Sequence, residues 1–265
     1  MFFRLDSIEL ALILFATVFG ATAAGLALGR RFRHRSEHLR EPVSVVQGAL
    51  LGLVGLVLAF GLALAVGRYE ARRAAVVDDA NAIGTTYLRA QTLQEPMRTR
   101  SLDLLRRYTD TSIRLSHVVP TGAAERRVVD DGDVLQRQLW SLAGQAIARS
   151  PQDSAPRLYL ETLNEMIDMQ TVRVGRLNNR VPSAVLAVEV LFAAVAFGLL
   201  AFHLALLGRS VIPVFLAAGL ISLLLLVTFD LDRPTRGLIT IPATALTNLR
   251  ASMDLPPAAA APPKR

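Results

Sequence analysis

With 265 residues, 52% of them hydrophobic, and a mean hydropathy of +0.40, the chain carries more apolar surface than a soluble domain buries, and the excess has to face lipid. The absence of cysteine excludes disulfides, thiolate metal sites and cysteine nucleophiles. A formal charge of +7 does not make a nucleic-acid surface. Lys264 is the single lysine among 29 basic residues, and the arginines alternate with acids instead of forming one block, so no nucleic-acid partner is expected.

The first span is expected over Ile8 to Gly29, whose one charge, Glu9, lies near its start. Its 22 residues reach about 33 Å at the helical rise, enough to cross a bilayer. Ala21-Thr22-Ala23 has the look of a leader cleavage site, but apolar residues run on to Leu28, and Asp6 and Glu9 make a poor basic leader, so an uncleaved span is the expectation. Val43 to Gly67 is the second span, Pro182 to Leu207 the third and Val211 to Phe229 the fourth. Only Gly208, Arg209 and Ser210 separate the last two, which makes them a hairpin.

The expected plan is residues 1–29 for a first span with a short N-terminus, 30–42 for an arginine-rich loop, 43–67 for the second span, and 68–181 for a helical water-facing domain. Residues 182–229 then form the hairpin, 230–255 an interfacial segment and 256–265 an Ala/Pro tail without fixed structure. The fold class is an all-α membrane protein with four transmembrane helices in two pairs and a helical extramembrane domain between spans two and three. A multi-pass protein of the cell inner membrane follows.

Its orientation stays open. Arg30, Arg31, Arg33, Arg35 and Arg40 crowd the short first loop, which by the positive-inside rule belongs in the cytoplasm and puts the helical domain outside. The flanks of that domain, with Arg68, Arg72, Arg73, Arg173, Arg176 and Arg180, favour the reverse.

Within the domain, breaks at Pro96, at Pro120-Thr121-Gly122 and at Pro151 divide four helices. The first, Tyr69 to Gln94, follows the second span with no Gly or Pro between Arg68 and Ile83, so one long helix is expected. The second covers Arg98 to His117 and the third Val128 to Arg149. The fourth begins after Ser154 as N-cap, with an apolar stripe of Leu158, Leu160, Leu163, Met166, Met169 and Val172. These amphipathic helices predict a bundle. Past the fourth span, Leu238 to Ile241 reads as a short strand and Thr244 to Met253 as a helix.

No phosphate-cradling loop, metal-spaced histidine pair or nucleophile elbow is visible, so no catalysis, metal or cofactor is expected. Candidate functional positions lie elsewhere. Asp78, Asn81, Thr85 and Arg89 align on one helical face, which is either a solvated surface or a polar ring at a pore mouth. Gly84 costs that helix up to about 1 kcal/mol unless another helix packs there. The second span carries Gly48, Gly52, Gly55, Gly61 and Gly67, suited to close packing within a subunit or to bordering a channel, and its one aromatic residue, Phe60, suits a hydrophobic constriction. Glu189, an intramembrane carboxylate, either marks an ion path or is held neutral or hydrogen-bonded, with Gln47 as a candidate partner. His203 reads as interfacial. Asp230, Asp232 and Arg233 close the fourth span as an interfacial anchor.

Asp79-Ala80-Asn81-Ala82-Ile83-Gly84-Thr85-Thr86-Tyr87-Leu88-Arg89-Ala90 and Asp230-Leu231-Asp232-Arg233-Pro234 resemble motifs of the bestrophin-like domain family of bacterial membrane proteins, with Asp79 in place of that family's glutamate. The resemblance covers about Val43 to Leu255. It implies a four-span subunit in a homo-oligomeric ring, with a pentamer as the candidate assembly, around an axial pore lined by the second span. True bestrophins, more remotely similar, are pentameric anion channels with cytoplasmic helices; no acidic calcium loop is present here, so calcium gating is not implied.

The expected function is an ion channel or pore for small anions. A non-conducting sensor or scaffold whose helical domain binds a partner or ligand is the alternative, and a proton-coupled transporter built on Glu189 is a third.

Overall fold

The computed structural model describes residues 6–33 and 40–258. Among these residues there are eight α-helices and no strand: α1 (Ser7–Phe32), α2 (Arg40–Ala90), α3 (Met97–Leu115), α4 (Ala123–Arg149), α5 (Ser154–Asn178), α6 (Ser183–Leu206), α7 (Ile212–Leu231) and α8 (Thr244–Ser252). Arg35 in the first loop, Lys264 and most of the Ala/Pro tail lie outside the described residues.

Local chemistry accounts for the helix ends. At the start of α1 the Glu9 carboxylate accepts the Asp6 backbone N–H at 3.0 Å, so the one acid of the first span serves as a reach-back cap. Asp153, not Ser154, is the N-cap of α5, and Pro156 sits in its first turn, where no backbone donor is needed. Between α6 and α7, Gly208 takes φ +68, a left-handed conformation that costs a side chain energy. There the Gly208 N–H donates to the Ala205 carbonyl and the Arg209 N–H to Leu204, the paired bonds of a Schellman stop.

The expected strand at Leu238 to Ile241 is not formed. No neighbouring strand offers it a ladder among the described residues; instead the Ile239 N–H donates to the Asp230 carboxylate at 2.8 Å.

The chain divides into two compact units, residues 1–69 with 180–240 and residues 70–179 with 241–265, and α2 runs unbroken from the first into the second. In the first unit α1 packs most extensively on α6 and next on α7. Its core joins Leu10, Leu14 and Val18 of α1, Val54 and Leu58 of α2, Leu186, Ala193 and Phe197 of α6, and Ala218 and Leu225 of α7. Small residues set the α1 to α6 spacing: a side chain at Gly25 would strike the Gly198 carbonyl, and one at Gly29 would strike Phe202 and Ala205. Four helical stretches are long and apolar enough to cross a membrane, and their apolar runs lie in α1, α2, α6 and α7. Leu12, Leu56, Leu191, Leu216 and Leu220 stay exposed on them, an outward apolar surface that water does not favour.

In the second unit α4 packs between α3 and α5, and α8 lies against α3. The buried face of α5 is Tyr159, Thr162, Leu163, Met166, Gln170, Arg173 and Leu177. It is rotated from the expected stripe, for Leu158 and Val172 are exposed. Polar side chains with partners on other helices take inward places that an apolar count would not assign to them. Tyr108 donates to the Gln170 side-chain oxygen at 2.6 Å and accepts from Gln136 at 3.1 Å, joining α3, α4 and α5. Burial, and next the Asp79 charge, push the Tyr108 phenol well above its ordinary range.

Candidate functional site

In the first unit, α2 has two contrasting faces. Val54, Leu58, Gly61 and Ala65 are buried, while Gly48, Gly52, Gly55, Ala59 and Ala63 are exposed. At 100° per residue these two sets fall in separate sectors of the helix, their centres about 130° apart. Among the described residues, a side chain built at Gly48, Gly52, Gly55 or Gly67 would meet nothing within 4 Å. Packing among those residues therefore does not explain these glycines. Phe60 is 63% exposed and stands about 100° round the helix from the centre of the small-residue strip.

Gly61 is the glycine that packs inside the subunit. A side chain there would collide with the carboxyl of Glu189, which is 1% exposed on α6. Neither Glu189 oxygen has a hydrogen-bond partner among the described residues, and Gln47 is not its partner. Gly61 lies fourteen residues beyond Gln47, about 21 Å along the helix, which puts the amide out of reach. His203 is buried near the end of α6, with its Nδ1 unpartnered among the described residues.

The Asp230 to Pro234 segment works as a clasp within this unit. Asp230 accepts the Ile239 N–H, and Gly237 lies so close that any side chain would strike the Asp230 carboxylate. Asp232 accepts the Val181 N–H at 2.9 Å, and Arg233, 3% exposed, donates to the Ser7 hydroxyl at 3.4 Å. The end of α7 is thereby fastened to the start of α1 and to the entry of α6.

In the second unit the Asp79 to Ala90 motif divides by face. Asp79 is fully buried and pairs with Arg173 at 2.7 Å, while the Ser112 hydroxyl donates to the same carboxylate oxygen at 3.0 Å. Arg173 also donates to the Ser112 carbonyl at 3.0 Å and to the Ser116 hydroxyl at 2.6 Å. Gly84 accommodates α8: a side chain there would come within 3.1 Å of Leu249. The Thr86 hydroxyl donates to the Thr162 carbonyl at 3.0 Å and the Tyr87 phenol to the Met253 carbonyl at 3.0 Å. Asp78, Asn81 and Thr85 point outward, and half-buried Arg89 donates to the Leu158 carbonyl at 2.8 Å with Glu161 at 3.6 Å. Of the predicted polar stripe, three members are exposed and the fourth is tied to α5.

Sequence reasoning did not find Arg173 as the partner of Asp79 or Gly61 as the neighbour of Glu189. Arg173 had a usable signal, since it recurs at helical spacing with Leu163, Met166 and Gln170, and a cation on a core-facing stripe calls for an acid. Gly61 had none, being one glycine among several on that span.

The family described as Bestrophin-like domain matches residues 13–246. Two crystal structures of a bacterial bestrophin homologue from Klebsiella pneumoniae share the fold. One, a tyrosine-to-alanine mutant, superposes with TM-score 0.65 at 13% identity, covering 89% of this chain and 97% of that one. The other, an isoleucine-to-threonine mutant, gives TM-score 0.60 at 14% identity with the same coverage. No curated protein matches in sequence.

Proposed function

Because this chain belongs to the bestrophin-like domain family, we propose that it is a homo-oligomeric channel of the inner membrane that passes small ions, anions by preference, along an axial path lined by α2. The four apolar helices cross the bilayer, α1 and α2 as one sequential pair and α6 and α7 as the hairpin, and the second unit stands in water. The anion preference rests on the likeness to bestrophins.

The observation that carries this reading is the unused strip on α2. A helix of a self-sufficient subunit turns small residues toward its neighbours, because only there does a missing side chain gain close contact. Here Gly48, Gly52 and Gly55 meet nothing among the described residues while another face of the same helix is packed. Closure of several copies around a symmetry axis gives such a strip a place, as a narrow passage bordered by backbone. Phe60, exposed on the same helix, is the hydrophobic constriction. Asp78, Asn81, Thr85 and Arg89 line the vestibule, and Glu189 supports the wall from behind through Gly61.

Purified protein in planar bilayers is expected to conduct, and Phe60→Ala to raise the unitary conductance. Correctly assembled oligomers that stay silent would instead favour a scaffold.

A further inference from the structure

Beside the contact of Gly25 with Gly198, α1 and α6 leave an open groove of about 500 Å³, lined by Ala21, Ala24, Leu28, Val195, Leu199 and Phe202. One end of it is strongly basic. Ala21, Ala24, Leu28 and Arg31 recur at i, i+3, i+7 and i+10, so Arg31 continues the same face of α1 past the groove. The two helices run in the same direction there: Gly25 meets Gly198, Gly29 meets Phe202, and the Arg33 guanidinium lies over Gly208. That register brings Arg209 to the same end. Arg30, Arg31, Arg33 and Arg209 are all exposed, and none of them pairs with a carboxylate among the described residues.

We propose that this groove and its arginine rim form a binding site for an anionic phospholipid. One acyl chain lies along the small residues, and the headgroup phosphate meets the guanidiniums. An apolar channel alone would accept any chain. The exposed guanidiniums at one mouth select the anion, since planar guanidinium donors match phosphate geometry and basic pockets at helix ends attract acidic headgroups. The inference rests on the bilayer placement of α1 and α6 and not on conduction.

Trp140 is the one tryptophan, so Trp140→Phe with Leu28→Trp places a single reporter in the groove. The full-length protein is reconstituted in vesicles in which brominated phosphatidylglycerol or brominated phosphatidylcholine is present at equal mole fraction. Quenching is expected to be several-fold stronger with phosphatidylglycerol. Arg31→Gln with Arg209→Gln should bring it down to the phosphatidylcholine level, and Ala24→Phe should reduce quenching by both lipids. Equal quenching by the two lipids before any arginine is changed overturns the site. So does an unquenched Leu28→Trp beside a quenched Leu216→Trp control on α7, because a protein surface such as a second copy then covers the groove. If neither reporter is quenched, the bilayer placement itself fails and the site falls with it.

Discussion

Two buried acids meet opposite local solutions. Asp79 has a guanidinium and a hydroxyl on one oxygen, whereas among the described residues Glu189 has no hydrogen-bond partner and sits against the gap left by a glycine. Removing one partner of a buried ion pair leaves the other charge uncompensated, which costs about 3–5 kcal/mol. Asp79→Ala and Arg173→Ala should therefore each lower the unfolding midpoint substantially, and the double substitution should cost less than the sum. Additive losses in chemical denaturation would show that the pair is not coupled. For Glu189 the steric term dominates. Gly61→Ala forces a methyl group into the carboxyl, an overpacking of about 1–3 kcal/mol, and Glu189→Ala in the same chain should recover most of the loss. If Gly61→Ala is as stable as the parent protein, the flexible end of Glu189 turns aside and Gly61 does not fix the carboxyl.

The helices divide by how coarse their sequence signal is. The four apolar runs and the uninterrupted passage of α2 past Arg68 were readable, because twenty apolar residues or a stretch free of Gly and Pro is a signal that no single contact overrides. The buried face of α5 keeps Leu163 and Met166 of the apolar stripe but turns Gln170 and Arg173 inward in place of Leu158 and Val172. Leu238 to Ile241 shows β-branched residues but finds no partner edge among the described residues, and propensity alone makes no ladder. The Asp79 to Ala90 motif was legible as a unit and not by role: Gly84, Thr86 and Tyr87 hold α5 and α8, leaving Asp78, Asn81 and Thr85 outside. For α2 the two faces give a direct expectation. The natural chain has no cysteine, so single cysteines can be scanned with a charged thiol reagent. Gly52→Cys and Gly55→Cys should react from the aqueous phase, and Val54→Cys should not. Equal reactivity of all three would remove the distinction between the faces.

At the scale of the whole molecule, one subunit leaves the small-residue strip of α2 bare, and the channel account requires other copies to enclose it. Chemical cross-linking in detergent should then show a ladder ending at a closed ring, whereas a monomer or dimer would leave no axis for the path. Planar bilayer recording of the assembled protein beside Phe60→Ala decides whether ions pass along α2. Discrete unitary currents carried mainly by small anions are expected, larger when the phenyl ring is removed. Intact rings that carry no current, with or without Phe60, would contradict conduction along α2.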